Sequence, residues 1–437
     1  MPDSIYKVPY GRASLEFRVP SGMQVDIALS RMMDPVRDER QAILDALAHP
    51  VGCEPLSESV RAGERICIVF TDITRSCPDR LLMPALLAEL EKAGVRDRDV
   101  TLLCGTGMHR PSTAEEKVAK LGAATATRYR VIDNDPQSAS ALVDLGFTAG
   151  GVPVHVHRAV VEADHLIATG IVEPHQYAGY SGGRKTAAIG AAGESLIAYT
   201  HGPAFVDHPG TRLGRIAGNP FHEAVTEAAH RAGLRFILNV VLDDRHRILR
   251  VAAGEPDAAF RDLVDFARSV YEVPVPHQYD IAIGGVGFPK DCSLYQASRA
   301  ASYLFFAPTP VVRPGGFIII PARCEEGAGA GIGERRFLAA MRDAPDIRFI
   351  LEDARRNGYQ PGGQRAFVMA KVLERVRVVI VGSECPDLVA AARMIPAATV
   401  AEALEIASDE MGPSSSVLLV PHALLTLPVV TSSTHQP

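Results

Sequence analysis

The sequence contains no tryptophan, no closely spaced pair of cysteines and no long apolar segment. Its seven cysteines are dispersed singly, without the spacing of a zinc ribbon or the density of a disulfide scaffold, which is typical of a reducing compartment. Uninterrupted apolar stretches fall short of the roughly 20 residues that a membrane helix needs. The first residues show no cationic region followed by an apolar run, so no secretion signal is visible. We therefore expect a cytoplasmic protein without a membrane partner.

A strong excess of one charge is also missing, because 51 acidic residues stand against 45 basic ones and leave a net charge of −6. The two signs are interspersed, which disfavours a nucleic-acid partner. Apolar residues make up 47% of the 437 residues, an ordinary globular composition. A chain of this length is about three times a typical domain, so more than one domain is expected.

Short apolar runs rich in Val and Ile alternate with segments of helical period. In the first part of the chain, strands are predicted over residues 65–72, 100–107, 129–133, 152–158 and 163–171. Helices are predicted over 81–93 and 112–121, the second starting at an S-x-x-E capping box of Ser112 and Glu115. This alternation predicts mainly parallel sheets with helices on both faces, in which ligands bind beyond the carboxyl ends of the strands.

The character of the sequence changes near residue 272, where a helix predicted over 257–271 runs into VPVPHQY. These prolines cannot continue a helix and indicate an extended hinge. A second series of strands is predicted over residues 280–284, 316–321, 347–351, 376–382 and 417–420. The sequence thus predicts two Rossmann-like α/β domains, one over 1–272 and a smaller one over 273–437.

A glycine-rich segment, GYSGGRKTAAIGAAG, runs from Gly179 to Gly193. It resembles a P-loop, but Arg184 stands where the glycine before Lys185 is required, which disfavours an ATPase. Two interpretations remain equal on composition: a turn whose amides, Arg184 and Lys185 bind an anion, or a tight turn with a solvated lysine. The sequences GGVG at 284–287 and GAGAGIG at 327–333 do not complete a dinucleotide fingerprint and are better explained as loop glycines.

Histidines follow several predicted elements. His155 and His157 share one face of a strand and are spaced to chelate a metal, although a half-exposed strand face is the commoner explanation. His109 and His175 each follow a predicted strand, and His201 ends a predicted helix. Taken singly, each of these three histidines is as consistent with a surface or capping role as with a catalytic one. Together, histidines at one edge of a sheet suit proton exchange near neutral pH.

Asp72 and Arg75 lie in DITRSCP, directly after the first strand of the series. An arginine at this edge can fork onto a carboxylate or a phosphate. The alternative is a helix-capping aspartate beside a surface arginine.

Five segments together resemble the nickel-dependent lactate racemase family: DITR at 72–75, GTGMHR at 105–110, EPHQYAGYSGGRK at 173–185, His201, and YQASR at 295–299. The resemblance runs in order from about residue 10 to 425. It implies a nickel pincer nucleotide as cofactor, a pyridinium mononucleotide whose sulfur arms hold nickel together with a ring carbon. Nickel accepts sulfur and imidazole donors, so one histidine can complete a site that the cofactor mostly provides.

The resemblance also implies roles for individual residues. Lys185 would bond covalently to the cofactor, His201 would be the nickel ligand, and His109 and His175 would be the paired acid/base histidines. The cofactor pocket would further include Asp72, Ile73, Thr74 and Arg75. The substrate-contacting positions would be Arg75, Tyr295, Gln296 and Arg299.

The implied activity is that of a racemase or epimerase, which inverts C2 of a 2-hydroxy acid by reversible hydride transfer in a cleft between the two domains. The smaller domain would close over the substrate, and cofactor-building enzymes would be partners. Arg299 stands where the lactate enzyme's pattern has lysine, and the chain lacks that enzyme's tryptophan, so we expect an enzyme that is not specific for lactate. The alternatives are a carbohydrate or sugar-acid epimerase with the same cofactor, and a non-catalytic binder of the nickel nucleotide.

Overall fold

The computed structural model describes residues 4–360 and 362–431. The chain divides into two compact units. The first unit comprises Met32–His201 and Arg215–Val270, and the second comprises the described residues up to Arg31, Gly202–Gly214 and those from Tyr271 onward. The predicted boundary at residue 272 stays a prediction.

The strands are, in chain order, β1 (Ile5–Tyr10), β2 (Ala13–Arg18), β3 (Gln24–Ile27), β4 (Ile66–Thr71), β5 (Val100–Gly105), β6 (Arg130–Asp133), β7 (Leu142–Phe147), β8 (Pro153–His157), β9 (His165–Ile171), β10 (Pro174–His175), β11 (Gly179–Tyr180), β12 (Leu234–Leu242), β13 (Ile248–Gly254), β14 (Glu272–Val275), β15 (Tyr279–Gly284), β16 (Val312–Pro321), β17 (Arg377–Val381), β18 (Ile395–Ala397), β19 (Ser416–Val420) and β20 (Leu427–Val430).

The α-helices are α1 (Glu39–Ala48), α2 (Leu56–Ser59), α3 (Asp79–Lys92), α4 (Ala114–Leu121), α5 (Ala123–Arg128), α6 (Arg158–Val161), α7 (Gly183–Lys185), α8 (Glu194–Thr200), α9 (Pro203–Asp207), α10 (Pro220–Arg231), α11 (Pro256–Tyr271), α12 (Leu294–Ala297), α13 (Arg299–Phe305), α14 (Ile332–Asp343), α15 (Ile347–Asn357), α16 (Gln364–Leu373), α17 (Pro386–Ala391) and α18 (Val400–Met411). A 3-10 turn spans Asp97–Asp99, and a π-helical turn spans Thr186–Gly190.

The first unit is built on a six-stranded sheet in the order β13-β12-β9-β4-β5-β6. Neighbouring strands are parallel except β13, which is antiparallel to β12. Every residue of β4 from Ile66 to Phe70 is buried, because a central strand of such a sheet is covered on both faces. Ile68 and Phe70 join Leu82 and Leu86 of α3 in one apolar core, which fixes the strand ends that carry the candidate site.

The second unit has its own six-stranded parallel sheet, in the order β18-β17-β16-β15-β19-β3. Its core includes Ile281, Phe317 and Leu419. The edge strand β3 comes from the start of the chain, and the Tyr279 hydroxyl donates to Asp26 Oδ2 over 2.7 Å. The predicted fold class, α/β with mainly parallel sheets, is confirmed.

One predicted strand is wrong. Residues 347–351 begin α15, whose N-cap Asp346 accepts a hydrogen bond from the Phe349 amide at 2.8 Å. Ile350, Leu351 and Ala354 are the buried residues of this helix, which is the spacing of one helical face. A five-residue segment with four apolar residues fits a strand and such a helical face equally well, so its composition alone does not distinguish the two.

The start of α4 also differs from the prediction. Its capping box is formed by Thr113 and Glu116, one position after the predicted pair of Ser112 and Glu115. The Ser112 amide instead donates to Asp133 Oδ1 at 3.2 Å, which places Ser112 before the helix. Two overlapping motifs are present in the sequence, and the helix uses the second.

None of the helices within residues 4–360 and 362–431 is long and apolar enough to cross a membrane. All seven cysteines are free thiols.

Candidate active site

Asp72 and His109 follow the carboxyl ends of the adjacent strands β4 and β5. His109 Nδ1 lies 2.6 Å from Asp72 Oδ2, and the Thr74 hydroxyl donates to Asp72 Oδ1 over 2.8 Å. Burial opposes ionisation of Asp72, but the hydrogen bonds from His109 and Thr74 and the charge of Arg75 outweigh it and lower the pKa of the carboxyl. An ionised carboxylate only accepts hydrogen bonds, so in the neutral form of His109 the ring proton sits on Nδ1 and Nε2 keeps a lone pair. His109 is therefore set up as a proton acceptor, with 49% of its side chain exposed.

His175 is held in the opposite way. It ends β10, which pairs with β11 in a tight antiparallel turn. The backbone amides of Tyr177 and Ala178 donate to His175 Nδ1 over 3.2 and 3.1 Å. A nitrogen that accepts hydrogen bonds carries no proton, so the proton of the neutral His175 ring sits on Nε2. The ring therefore presents a hydrogen-bond donor.

Lys185 lies at the end of α7 and is partly buried. Burial, with the positive charge of Arg75, lowers the pKa of its amine to about 7, although the charges of Glu173 and Asp72 act in the opposite sense. A substantial fraction of this amine is thus neutral at physiological pH and able to act as a nucleophile.

The glycines before Lys185 allow the turn to pack tightly on the sheet. Gly182 has a φ of +151°, in the region that favours glycine. A Cβ on Gly183 would lie 2.9 Å from Ile237 Cγ2 and 3.0 Å from Asn239 Oδ1, both on β12. The interpretation as a tight strand-to-helix turn is confirmed, but the lysine it carries is not a solvated one.

His201 caps the C-terminal end of α8, as the sequence predicts. Its Nδ1 lies 2.9 Å from the Ile197 carbonyl oxygen, to which it donates, so Nε2 keeps a lone pair. Burial, followed by the nearby charge of Lys185, lowers the pKa of His201 to about 4. The rings of Tyr177 and Phe221 meet the imidazole edge-on, with centroids 5.4 and 5.0 Å away. A neutral imidazole beside a reactive lysine is a suitable donor for a metal held mainly by a cofactor.

Arg184 is not available to an anion. Its guanidinium lies 2.5 Å from Asp257 Oδ1 and stacks over Phe260 at 3.8 Å. Burial lowers its pKa, and Asp257 opposes this effect. Of the two basic residues in the glycine-rich turn, only Lys185 retains a chemical role at the site.

The remaining pocket residues of the first unit lie on the loop after β4. Ile73, Thr74 and Arg75 are exposed. The Arg75 amide donates to the Asp72 carbonyl over 3.1 Å, which closes a turn at this position. Their role toward a cofactor stays a prediction.

The predicted substrate residues of the second unit lie together on α12 and α13. Arg299 Nη1 donates to Gln296 Oε1 over 3.4 Å, and Nη2 donates to the Tyr303 hydroxyl over 3.1 Å. Tyr295 packs edge-on against Phe337, with centroids 5.7 Å apart. The fork of the guanidinium is thus oriented by two neighbours, of which Tyr303 was not singled out from the sequence.

The histidine pair on β8 has structural roles. His155 Nδ1 lies 2.7 Å from the Ser195 hydroxyl oxygen, and His157 Nδ1 accepts the Ala159 amide at the start of α6 over 3.1 Å. The strand-face explanation of this pair is the better one.

Within the described part of the chain, ligand atoms spaced for a metal ion come together at His230, Glu255 and Asp257. Asp257 is already paired with Arg184, and Glu255 accepts the amides of Asp257 and Ala258 at the start of α11. These contacts account for the cluster without an ion.

The sequence did not predict the side chains that contact the loop after β4 and the His201 ring. Asp79 and Lys120 form a buried ion pair under the loop after β4, and Tyr177 and Phe221 enclose His201. A lysine in the last turn of a helix is typical of an exposed position, so the sequence carried no signal for Lys120.

The fold is α/β, and one of its units holds a lysine of lowered pKa, a neutral imidazole and a histidine paired with a carboxylate. The family model of the lactate racemase N-terminal domain matches residues 10–214, and that of the lactate racemase C-terminal domain matches residues 276–427. The chain belongs to the lactate racemase family.

Two curated relatives align with this chain over most of its length. The lactate racemase of Thermoanaerobacterium thermosaccharolyticum is 30% identical over 418 residues, which cover 95% of this chain and 97% of that protein. The lactate racemase of Lactiplantibacillus plantarum is 32% identical over 391 residues, covering 88% and 90%. These relatives support a racemase, and hence an isomerase, role for this chain.

Solved structures show the same fold. The apoprotein of the T. thermosaccharolyticum lactate racemase superposes with a TM-score of 0.87 at 29% identity and covers 98% of this chain and 100% of that one. A Thermotoga maritima protein superposes with a TM-score of 0.67 at 18% identity, covering 92% and 100%, which bears on the fold alone.

Proposed function

We propose that this chain is a cytoplasmic racemase or epimerase that inverts C2 of a 2-hydroxy acid without specificity for lactate, using a nickel pincer nucleotide attached to Lys185. One observation supports this proposal most strongly. The same unit holds His109 paired with the Asp72 carboxylate, the Lys185 amine with a pKa of about 7, and His201 as a neutral imidazole. A non-catalytic binder of the cofactor has no use for the Asp72–His109 pair, so this pair favours an enzyme.

The residues present fit such a cofactor. The neutral fraction of the Lys185 amine can attack an activated carboxyl or thiocarboxyl carbon, and His201 Nε2 can complete the coordination of nickel. A nickel pincer nucleotide held by these residues would supply a reversible acceptor for the hydride at C2 of the substrate. Loading implies partner enzymes that build the nucleotide.

His109 removes the proton of the substrate hydroxyl. Its Nε2 lone pair accepts this proton as C2 loses hydride, and the ionised Asp72 stabilises the imidazolium that forms. Loss of hydride from a 2-hydroxy acid leaves a neutral ketone, whereas loss of the C2 proton would add a second negative charge to an anion.

His175 acts as a hydrogen-bond donor to the oxygen on C2 of the substrate. Its Nε2–H forms a hydrogen bond to the hydroxyl or keto oxygen, and this orients the flat intermediate. Inversion is completed when a charged His175 donates its Nε2 proton to the oxygen; His109 then releases to solvent the proton it accepted, and His175 regains one from solvent, so no net proton is consumed. Charging His175 also requires its Nδ1 to give up the two backbone donors from Tyr177 and Ala178.

Arg299 would bind the substrate carboxylate. Gln296 and Tyr303 each accept a hydrogen bond from one arm of the Arg299 guanidinium, which holds its plane in one orientation. A lysine ammonium is a point charge and cannot reproduce this arrangement, so the carboxylate would be held differently here than in the lysine pattern of the lactate enzyme.

The cofactor is tested by mass analysis of protein from a host that makes the nucleotide, with nickel measured on the same sample. We expect an adduct of nucleotide mass on the peptide that carries Lys185, and bound nickel. Lys185→Ala should lack the adduct, whereas His109→Ala should keep it and lose turnover.

His165→Ala is the matched control, because His165 pairs with Glu64 at the amino-terminal end of β9 and should keep both adduct and turnover. A native protein without adduct or nickel, beside a lactate racemase loaded in the same host, would overturn the cofactor. Full turnover of both Lys185→Ala and His109→Ala would overturn the assigned roles.

The substrate class is tested separately on single enantiomers of aliphatic hydroxy acids, sugar acids and neutral sugars, followed by chiral chromatography. Inversion of a sugar acid would favour the epimerase alternative. A loaded enzyme that inverts lactate best would contradict the proposed specificity.

A further inference from the structure

A buried ion pair lies directly beneath the loop that carries Asp72. Lys120, at the end of α4, has 6% of its surface exposed, and its Nζ lies 3.1 Å from Asp79 Oδ2. The same ammonium donates to the carbonyl oxygens of Arg75 and Cys77, each over 2.8 Å. A lysine ammonium has three N–H groups, so these three acceptors account for all of them.

Asp79 is fully buried and equally well satisfied. Its Oδ2 accepts the Thr71 hydroxyl over 3.1 Å, and its Oδ1 accepts the Thr169 hydroxyl over 2.5 Å and the Cys77 thiol over 3.4 Å. Thr71 is the last residue of β4 and Thr169 lies on β9. The pair therefore ties two strands to both ends of the loop.

The loop transmits this restraint to the candidate site. The Arg75 carbonyl is held by Lys120, and the Arg75 amide closes the turn onto the Asp72 carbonyl. The Thr71 hydroxyl, held by Asp79, immediately precedes Asp72. Loss of the pair would therefore release the backbone on both sides of the carboxylate that orients His109, at Thr71 through Asp79 and at Arg75 through Lys120.

Stability alone does not explain such an arrangement, because replacing a buried ion pair by apolar residues is often neutral or stabilising. We propose that Lys120 is a positioning residue, which acts with Asp79 to fix the 72–78 loop so that the Asp72 carboxylate keeps the proton of His109 on Nδ1. The effect on turnover rests on the proposed function, whereas the effect on the His109 ring does not.

The test compares two double variants of α4 ion pairs. Lys120→Met with Asp79→Asn removes both charges of the pair and leaves no isolated buried charge. Lys117→Met with Asp133→Asn is the matched control, since Lys117 lies one helical turn earlier and pairs with Asp133 at 2.5 Å. Thermal unfolding of both variants reports any general loss of stability.

The readout on the apoprotein is the ¹⁵N spectrum of labelled histidines, in which protonated and unprotonated ring nitrogens resonate far apart. We expect His109 to show protonated Nδ1 in the native chain and in the control, and mixed tautomers in the Lys120/Asp79 variant. In the loaded enzyme, kcat of this variant should fall by about 10²-fold with a much smaller change in KM.

An unchanged His109 signature in a folded Lys120/Asp79 variant would overturn the inference, as would the same change in the control. Should the double variant fail to fold, Lys120→Arg keeps the charge but cannot place three donors at one point, and it should show the same His109 change. A changed signature together with no inversion of any 2-hydroxy acid by the native enzyme would overturn the proposed function and leave the positioning role supported.

Discussion

At the scale of single residues, the two candidate acid/base histidines differ in their resting state. Asp72 fixes the proton of His109 on Nδ1, whereas backbone amides fix that of His175 on Nε2. One ring is therefore ready to accept a proton and the other to donate a hydrogen bond. An enzyme built this way handles the two enantiomers by different proton routes, although the overall equilibrium constant of a racemisation stays at one.

The Asp72–His109 pair can be tested by Asp72→Asn. An asparagine can turn its amide NH₂ toward Nδ1 and favour the tautomer with the proton on Nε2, which removes the base. We expect kcat to fall by about 10²- to 10⁴-fold, with the adduct on Lys185 retained. The measurement is steady-state inversion of one enantiomer, beside the mass of the protein.

Thr74→Ala serves as the control for Asp72→Asn, because it removes the other hydrogen bond to the carboxylate without touching His109. Its effect should stay within about tenfold. Equal losses in the two variants would contradict an orienting role of Asp72.

At the scale of elements, the π-helical turn after Lys185 packs against the end of β5 through two glycines. A Cβ on Gly190 would lie 3.0 Å from Gly105 Cα and 3.1 Å from the Gly105 carbonyl oxygen. These neighbours are backbone atoms, which cannot turn aside as a side chain can. The turn and the strand therefore fit only while both positions lack a side chain.

Gly190→Ala should lower the free energy of unfolding by about 1–3 kcal/mol, because a methyl group is forced into a packed contact. Urea unfolding followed by circular dichroism measures the change. Gly150→Ala is the control, since its Cβ would meet only the Thr148 hydroxyl at 3.8 Å, and it should change stability by less than about 1 kcal/mol. Comparable losses for both variants would refute the packing explanation.

The elements also show what the sequence can predict. Central strands such as β4 and β9 are almost entirely buried and rich in apolar residues, and the sequence locates them within two residues of their ends. The same rule misassigned residues 347–351, because α15 is amphipathic and its apolar face begins with a run of similar length. Local patterns suffice where burial is complete, and they fail where only one face is buried.

The support of the candidate site could not be predicted in this way. Lys120 donates to the carbonyl of Arg75, which lies 45 residues earlier in the chain. No local sequence pattern predicts a contact between residues so far apart. The positions of His109, Lys185 and His201 were accessible only because they recur in motifs. Their protonation states depend on burial and partners, which the sequence does not contain.

At the scale of the whole molecule, each compact unit is assembled from separated parts of the chain. The second unit takes its edge strand β3 from the start of the chain and its central strands from the last part. Asp26 of β3 accepts the hydroxyl of the buried Tyr279, so the edge is held by a side chain as well as by the β3–β19 ladder.

Deleting the segment through Arg31 should lower the melting temperature of the protein and promote aggregation, because β19 becomes an uncovered edge. Circular dichroism and light scattering measure the two effects. Tyr279→Phe removes only the hydroxyl contact and should cost about 1 kcal/mol. A truncated chain that melts at the native temperature would show that the first strand contributes little to the second sheet.

The pairing of β3 with β19 also constrains how the protein is made. Gln24 pairs with Ser416, about 390 residues later in the chain. At synthesis rates of about 5–20 residues per second, β3 waits roughly 20–80 s on the ribosome before its partner emerges. The four residues of this strand, QVDI, include a charged side chain and form little continuous apolar surface. While it is unpaired, the strand is therefore a poor pairing partner for strands of neighbouring nascent chains, which limits aggregation.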